Sequence, residues 1–324
     1  MGTKTGISWT DATWNPILGC SRVSEGCRNC YAEGIAYRFG HGKPTVYSGL
    51  TVLANGHPQW TGKIVETRQL LAPLSWRKPK RVFVNSMSDL FHENVTDEQR
   101  DRIFAVMALC PQHIFQVLTK RPKRMLEYFS AAGMSKIREA LIGRQASIIH
   151  LERTKMPVLE WPGLPLPNVW LGTSVENQAT ADERIPFLLE TPAAVKFLSA
   201  EPLLGPIDFR KVSGFNRIGL DLSNWWVICG GESGPGARPM HPDWARSLRD
   251  QCANGQVPFF FKQWGEWEPQ KQASGKTGMG SEIYYWADDR TKPSDVDCHC
   301  SFKVGKKKAG SLLDGIEHKA FPEV

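Results

Sequence analysis

Hydrophobic runs recur along this chain, and most of them end in polar or glycine-rich positions. Six are rich in β-branched and aromatic residues: RVFVNSMSD (81–89), HIFQVLTKRP (113–122), NVWLGTSVEN (168–177), AVKFLSAEPL (194–203), WWVICGGESG (225–234) and PFFFKQWGEW (258–267). Near-continuous apolar runs of this length suit parallel strands covered on both faces. A seventh, weaker candidate lies within residues 7–18. Between several runs the spacing turns helical. TDEQRDRIFAVMALC (96–110) opens with Thr96 and Gln99 in capping-box spacing and carries Ile103, Phe104, Met107 and Leu109 on an apolar face. ADERIPFLLE (181–190) and HPDWARSLRDQCANG (241–255) look similar, the second stopping at a glycine in the C′ position. The Pro-rich stretch 156–168 reads as an irregular loop, and the segment from about residue 268 as a C-terminal extension. Strand–helix alternation with right-handed crossovers predicts a parallel α/β sheet, open or closed.

The polar residues gather at one end of each run. Asn85, Ser86, Ser88 and Asp89 follow the first strand, and Thr119, Lys120 and Arg121 the second. Thr173, Ser174 and Glu176 follow the third, Ser199 and Glu201 the fourth, Glu232 and Ser233 the fifth, and Lys262 and Gln263 the sixth. Barrels and open α/β sheets bind ligands at the carboxyl ends of their strands, so six such ends predict a reaction site.

Composition narrows the setting. At 41% hydrophobic and 23% charged, the 324 residues have an ordinary globular make-up. The chain has no run of about 18 apolar residues and its N-terminus no signal-like stretch, so no membrane span and a cytoplasmic location are expected. In a reducing compartment clustered cysteines are metal ligands or catalytic groups more often than disulfides. A net charge of +7 and a pI of about 9.0 favour anionic partners. The basic residues cluster in RKPKR (77–81), KRPKR (120–124) and GKKK (305–308).

Three of the 8 cysteines, Cys20, Cys27 and Cys30, lie within one short loop in C-x6-C-x2-C spacing. Gly26 permits tight backbone geometry beside Cys27. Three thiolates leave one position of a [4Fe–4S] cluster without a protein ligand, and an open position suits catalysis. A structural zinc would need a fourth ligand recruited from Cys110, Cys229, Cys252 or a distant His, with Cys298 and Cys300 as a further candidate site.

A three-cysteine loop facing polar strand ends resembles the radical S-adenosylmethionine (SAM) superfamily. More closely, ISWTDATWNPILGCSRVSEGCRNCYAE, NSMSDLF, LTKRP, GTSVEN, LSAEPLLGPI, CGGESGPGARPM, FFKQWGEW and GKKKAGSLLDG resemble a phage-associated three-cysteine-motif family of unknown function. That family is regarded as a divergent radical SAM branch, distantly like spore photoproduct lyase. The resemblance implies a partial (βα)6-type parallel barrel over residues 1–267, with residues 268–324 packing on it. It implies a [4Fe–4S] cluster on Cys20, Cys27 and Cys30, with SAM on the fourth iron. An electron from a donor then cleaves SAM to methionine and a radical that takes hydrogen from substrate. The superfamily's usual C-x3-C-x2-C loop is longer here, and the aromatic usual before the third cysteine is Asn29, with Tyr31 after it. NSMSDLF stands where a Gly-Gly-Glu-like motif holds the SAM amine, which assigns that role to Ser86 and Asp89. Thr173, Ser174 and Glu176 would bind ribose or carboxylate, and Arg238 a carboxylate or phosphate. Glu201, Glu232, Lys262 and Gln263 are the candidate catalytic and substrate-orienting residues. By the same analogy the expected substrate is a thymine-derived DNA base. Lys120, Arg121, Lys123 and Arg124 would meet phosphates, and Trp225, Trp264 and Trp267 would stack on a flipped base. The alternatives are a radical SAM enzyme for a peptide or small metabolite, and a non-catalytic zinc- or cluster-stabilised nucleic-acid-binding protein.

Overall fold

A computed structural model of the chain describes residues 5–42, 44–130, 134–154, 162–215, 222–269, 282–286 and 300–323. All the expected strands form. They are β1 (Ala12–Trp14), β2 (Arg81–Val84), β3 (Ile114–Thr119), β4 (Val169–Ser174), β5 (Val195–Ala200), β6 (Trp225–Gly230) and β7 (Phe259–Gln263). They join into one seven-stranded sheet whose strand order follows the chain. The β1–β2, β2–β3, β3–β4 and β6–β7 pairs run parallel. Strands β4 and β6 are buried along their whole length, which is why they read as unbroken apolar runs.

The principal helices are α1 (Tyr31–Gly40), α2 (Asp97–Ala108), α3 (Pro122–Ser130), α4 (Met134–Thr154), α5 (Gln178–Glu190) and α6 (Pro242–Asn254). The capping box of α2 is present: Thr96 Oγ1 accepts from Gln99 N at 3.2 Å, and Gln99 Oε1 accepts from Thr96 N at 2.8 Å. The glycine expected at C′ of α6 sits one place earlier. Gly255 is the C-cap with φ −90°, and the left-handed residue after it is Gln256, φ +53°. No described helix is long and apolar enough to cross a membrane.

The chain divides into two compact units. One comprises Met1–Ser24, Cys30–Ser174 and Arg184–Phe197, the other Glu25–Asn29, Val175–Glu183 and Leu198–Val324. In the first, Trp14 meets Phe115 at 5.6 Å between ring centroids and Trp9 meets Phe83 at 4.7 Å. A smaller core beneath α1 gathers Leu18, Ala32, Ala36, Tyr47, Leu50 and Met87. In the second, Trp226, Phe260 and Phe321 pack ring against ring. The C-terminal residues are built into this unit. A strand at Trp267–Pro269 pairs with Cys300–Lys303, and Phe261 N donates to His318 O at 2.9 Å. Cys300 is buried, and Cys298 lies outside the described residues.

Candidate metal and cofactor site

In the first unit the cysteine loop begins at Cys20 and Ser21, and the ends of β2 and β3 supply its partners. Asp89 accepts from Phe91 N (2.9 Å), Thr119 Oγ1 (2.7 Å), Lys120 N (3.1 Å) and Arg121 Nη1 (3.1 Å). Four donors use all of a carboxylate's lone-pair directions, so Asp89 is committed to the protein and does not serve the SAM ammonium expected for it. Arg121 spreads its remaining donors over Glu93 Oε1 (3.2 Å), Ser21 Oγ (2.7 Å), Ser21 O (3.3 Å) and Cys20 Sγ (3.9 Å). Burial opposes its charge, but Asp89, Cys20 and Glu93 outweigh that and raise its pKa above the ordinary value. Ser21 Oγ also meets His92 Nε2 at 3.0 Å, and burial together with Arg121 lowers the pKa of His92. Arg121 therefore anchors the loop and is not a phosphate contact.

Two other expected cofactor residues come together here: Tyr31 Oη donates to Ser86 O at 2.8 Å, and the Ser86 hydroxyl lies 3.2 Å from the side-chain amide of Asn15. Thr173 is tied to the sheet, its hydroxyl donating to Thr119 O at 2.9 Å, and Ser174 is buried at the end of β4. Of the basic cluster, Lys123 is exposed and Lys120 half-buried, while Arg124 Nε donates to Phe91 O at 3.0 Å.

In the second unit the middle of the cysteine loop, Glu25–Asn29, forms a 3₁₀ turn over Glu25–Cys27. Gly26 lies against Glu176, and a Cβ at this position would stand 2.5 Å from Glu176 Oε1. Asn29 Nδ2 donates to Glu232 Oε2 (3.0 Å) and Gly236 O (2.7 Å). Arg238 grips Glu232 with Nη2 (2.6 Å), Nε (2.9 Å) and its backbone N (2.8 Å), and reaches Glu25 O with Nη2 (2.9 Å). Burial pushes the Glu232 pKa up, but hydrogen bonds from Arg238 and Asn29 more than reverse this and hold it below the usual carboxylate value. Glu176, Glu232 and Arg238 thus meet the cysteine loop. Deeper in the same unit, Lys262 Nζ pairs with Glu201 Oε1 at 2.5 Å beside Gly230, and Gln263 Nε2 donates to Ser233 Oγ at 2.8 Å.

Trp225, Trp264 and Trp267 are buried, and the last two donate their indole N–H groups to Leu312 O and Ala237 O. They are core residues rather than stacking surfaces for a base. Reading the sequence missed His92, which directly follows the NSMSDLF motif, and the loop-holding role of Asn29. It placed Asn85 among the polar strand ends without giving it a role. Asn85 adopts φ +60°, which asparagine tolerates, and among the described residues both polar atoms of its buried side chain lack a hydrogen-bond partner.

The donor chemistry of the loop fits an iron–sulfur centre. Cys20, Cys27 and Cys30 are half-buried, and the Arg121 guanidinium stands 3.9 Å from Cys20 Sγ. Among the described residues no group of three or more His, Cys, Asp or Glu is gathered as a metal cage. The fit is therefore one of ligand type and number: three sulfur donors, with one position left for a non-protein ligand.

A family model described as "Protein of unknown function (DUF5131)" matches residues 4–322. No curated protein and no solved structure matches the chain.

Proposed function

The chain belongs to the DUF5131 family, and from the site geometry we propose that it is a radical SAM enzyme acting on a nucleic-acid base. The observation that carries this reading is the cysteine loop, whose three half-buried cysteines lie on a segment tied down by the polar strand ends. A [4Fe–4S] cluster held by Cys20, Cys27 and Cys30 supplies one-electron reductive cleavage of SAM. The protein's own residues do the remaining work. Arg121, His92 and Ser21 fix the approach to Cys20, while Gly26, Asn29, Glu232 and Arg238 fix the turn that carries Cys27. Lys262 and Glu201 form one close ion pair and orient substrate. The buried amide of Asn85 offers an unused donor and an unused acceptor, the complement of a nucleobase edge. The net charge of +7 and the exposed Lys123 favour a phosphate-bearing substrate.

Anaerobic reconstitution tests the reading. About four irons per chain, a visible chromophore that bleaches with dithionite, and an electron-spin signal altered by SAM are expected. Cys27→Ala should abolish all three. One zinc per chain and no chromophore would overturn the proposal and favour a structural clasp in a nucleic-acid-binding protein.

A further inference from the structure

The chain leaves β6 through Glu232 and leaves β7 through Gly265, and the two exits touch backbone to backbone. Gly265 adopts φ +82°, and a Cβ there would stand 2.0 Å from Glu232 O, so only glycine permits the approach. Glu266 N then donates to Glu232 O at 3.1 Å, which sets Glu266 beside the start of the loop 233–238. Its carboxylate is divided between two segments. Oε1 accepts from Gly234 N at 3.0 Å, and Oε2 accepts from Lys306 N at 3.3 Å. The Glu266 carbonyl accepts from Val304 N at 3.0 Å and Gly305 N at 3.1 Å. Half-buried Glu266 thus ties the loop 233–238 to the C-terminal segment at 304–306. A carboxylate makes stronger bonds to N–H groups than a neutral acceptor does.

The far edge of that loop holds the cysteine turn. Gly236 O accepts from Asn29 Nδ2 at 2.7 Å, and Arg238 Nη2 donates to Glu25 O at 2.9 Å. The near edge is pinned at two points. Gly234 N is held by Glu266, and Ala237 O accepts from the buried indole of Trp267 at 2.7 Å. A bond from Ala237 N to Gly234 O at 3.0 Å joins the two points. Gly234 has φ +108° and nothing within 4 Å of where a Cβ would lie, so packing around that position does not hold it. The Glu266 carboxylate does. Without it the stretch Gly234, Pro235 and Gly236 regains backbone freedom, and the acceptor offered to Asn29 moves with it. All of these residues belong to the second unit.

We propose that Glu266 is a positioning residue for Cys27. It fixes the loop 233–238, and through Asn29 and Arg238 that loop fixes the 3₁₀ turn of Glu25–Cys27. The C-terminal segment takes part, because Lys306 N shares the same carboxylate. Glu266 touches neither thiol nor ligand and acts only through the loop. Its functional meaning rests on the reading above, in which Cys27 holds a cluster, while its effect on the turn does not.

The test uses the metal-free full-length chain and iodoacetamide, with the alkylation rates of Cys20, Cys27 and the buried Cys252 read separately by peptide mass spectrometry. Glu266→Ala should raise the rate at Cys27 by about tenfold, as loss of a hydrogen bond to a charged group does. The rates at Cys20 and Cys252 should not change. Glu266→Gln keeps a single acceptor, so it should fall between the alanine variant and the wild type. With Asn29→Ala and Arg238→Ala already in place the loop no longer grips the turn, and Glu266→Ala should then add little. A Cys27 rate that ignores Glu266→Ala overturns the proposal. Equal rises at all three thiols also overturn it, because they mean general loosening, as does an undiminished effect in the Asn29→Ala, Arg238→Ala chain. Should the alanine variant not fold, Glu266→Gln decides by the same comparisons. In the iron-reconstituted chain Glu266→Ala should also lose iron to a chelator faster than wild type. Wild-type chain that takes up no iron defeats the cluster reading instead, and the alkylation rates still decide whether Glu266 positions Cys27.

Discussion

Arg121 with Asp89 and Arg238 with Glu232 each hold part of the cysteine loop, but the first pair is sealed and the second half open. The side chain of Arg121 is 6% exposed and that of Arg238 is 25% exposed. In the sealed pair every charged group has had to find protein partners, and Asp89 and Arg121 have done so completely. In the open pair water shares the work, so the same pairing costs less to form and less to lose. The sealed network is therefore expected to set stability. The open one is expected to set where the turn of Glu25–Asn29 sits.

Removing one member of the sealed pair gives the largest effect. Arg121→Ala leaves Asp89 as a buried charge without its cation and should cost about 3–5 kcal/mol in denaturant unfolding. Arg238→Ala should cost about 1–2 kcal/mol, because solvent reaches that site and Asn29 still donates to Glu232. Equal losses would erase the distinction between the two pairs. The next largest effect concerns Gly26. A Cβ there would collide with the Glu176 side chain, so Gly26→Ala should destabilise by about 1–3 kcal/mol and loosen iron retention. Glu176→Ala in the same chain should restore much of both. A double-mutant cycle with no coupling would mean that Glu176 does not hold the turn.

The strands and helices α2, α5 and α6 were legible because the sheet is buried on both faces and leaves long apolar runs. Helices α3 and α4 were not read, and α4 shows why. Gly143 interrupts it, and it exposes Leu141, Ile148 and Leu151 while burying Ile142, Ala146 and Ile149, so no single apolar stripe announces it. The short strands of the 51–60 hairpin were missed because none of their residues is fully buried and they are too brief to alternate clearly. At the site, residue type told which positions carry polar chemistry but not what each one faces. Asp89 and Arg121 read equally well as ligand-binding groups or as partners of one another. Only their placement, 3.1 Å apart in a dry setting, decides for the second. Asn29 looked like a missing aromatic and is instead a hydrogen-bonding residue, a role that depends on Glu232 some two hundred positions away in the chain.

The smallest effect, a pH dependence, also separates the two networks. His92, beside the sealed pair, has its pKa depressed from 6.5 by burial and by Arg121. The native state therefore favours the neutral ring. Its contribution is fully present above about pH 6.5 and is lost as pH falls through the lower folded value. Glu232, in the open pair, is depressed from 4.5. Its contribution is present above that value and is lost only as pH falls further. On acidification the sealed network should weaken first, with a stability slope of at most about 1.4 kcal/mol per pH unit for one proton. His92→Gln should flatten the slope just below pH 6.5 and leave the more acidic one intact, whereas Glu232→Gln should do the reverse. Unfolding curves of the two variants at pH 7.5, 6 and 4 read this directly. A slope near pH 6 that survives His92→Gln would move the titrating group elsewhere and leave the sealed network without its acid-sensitive member.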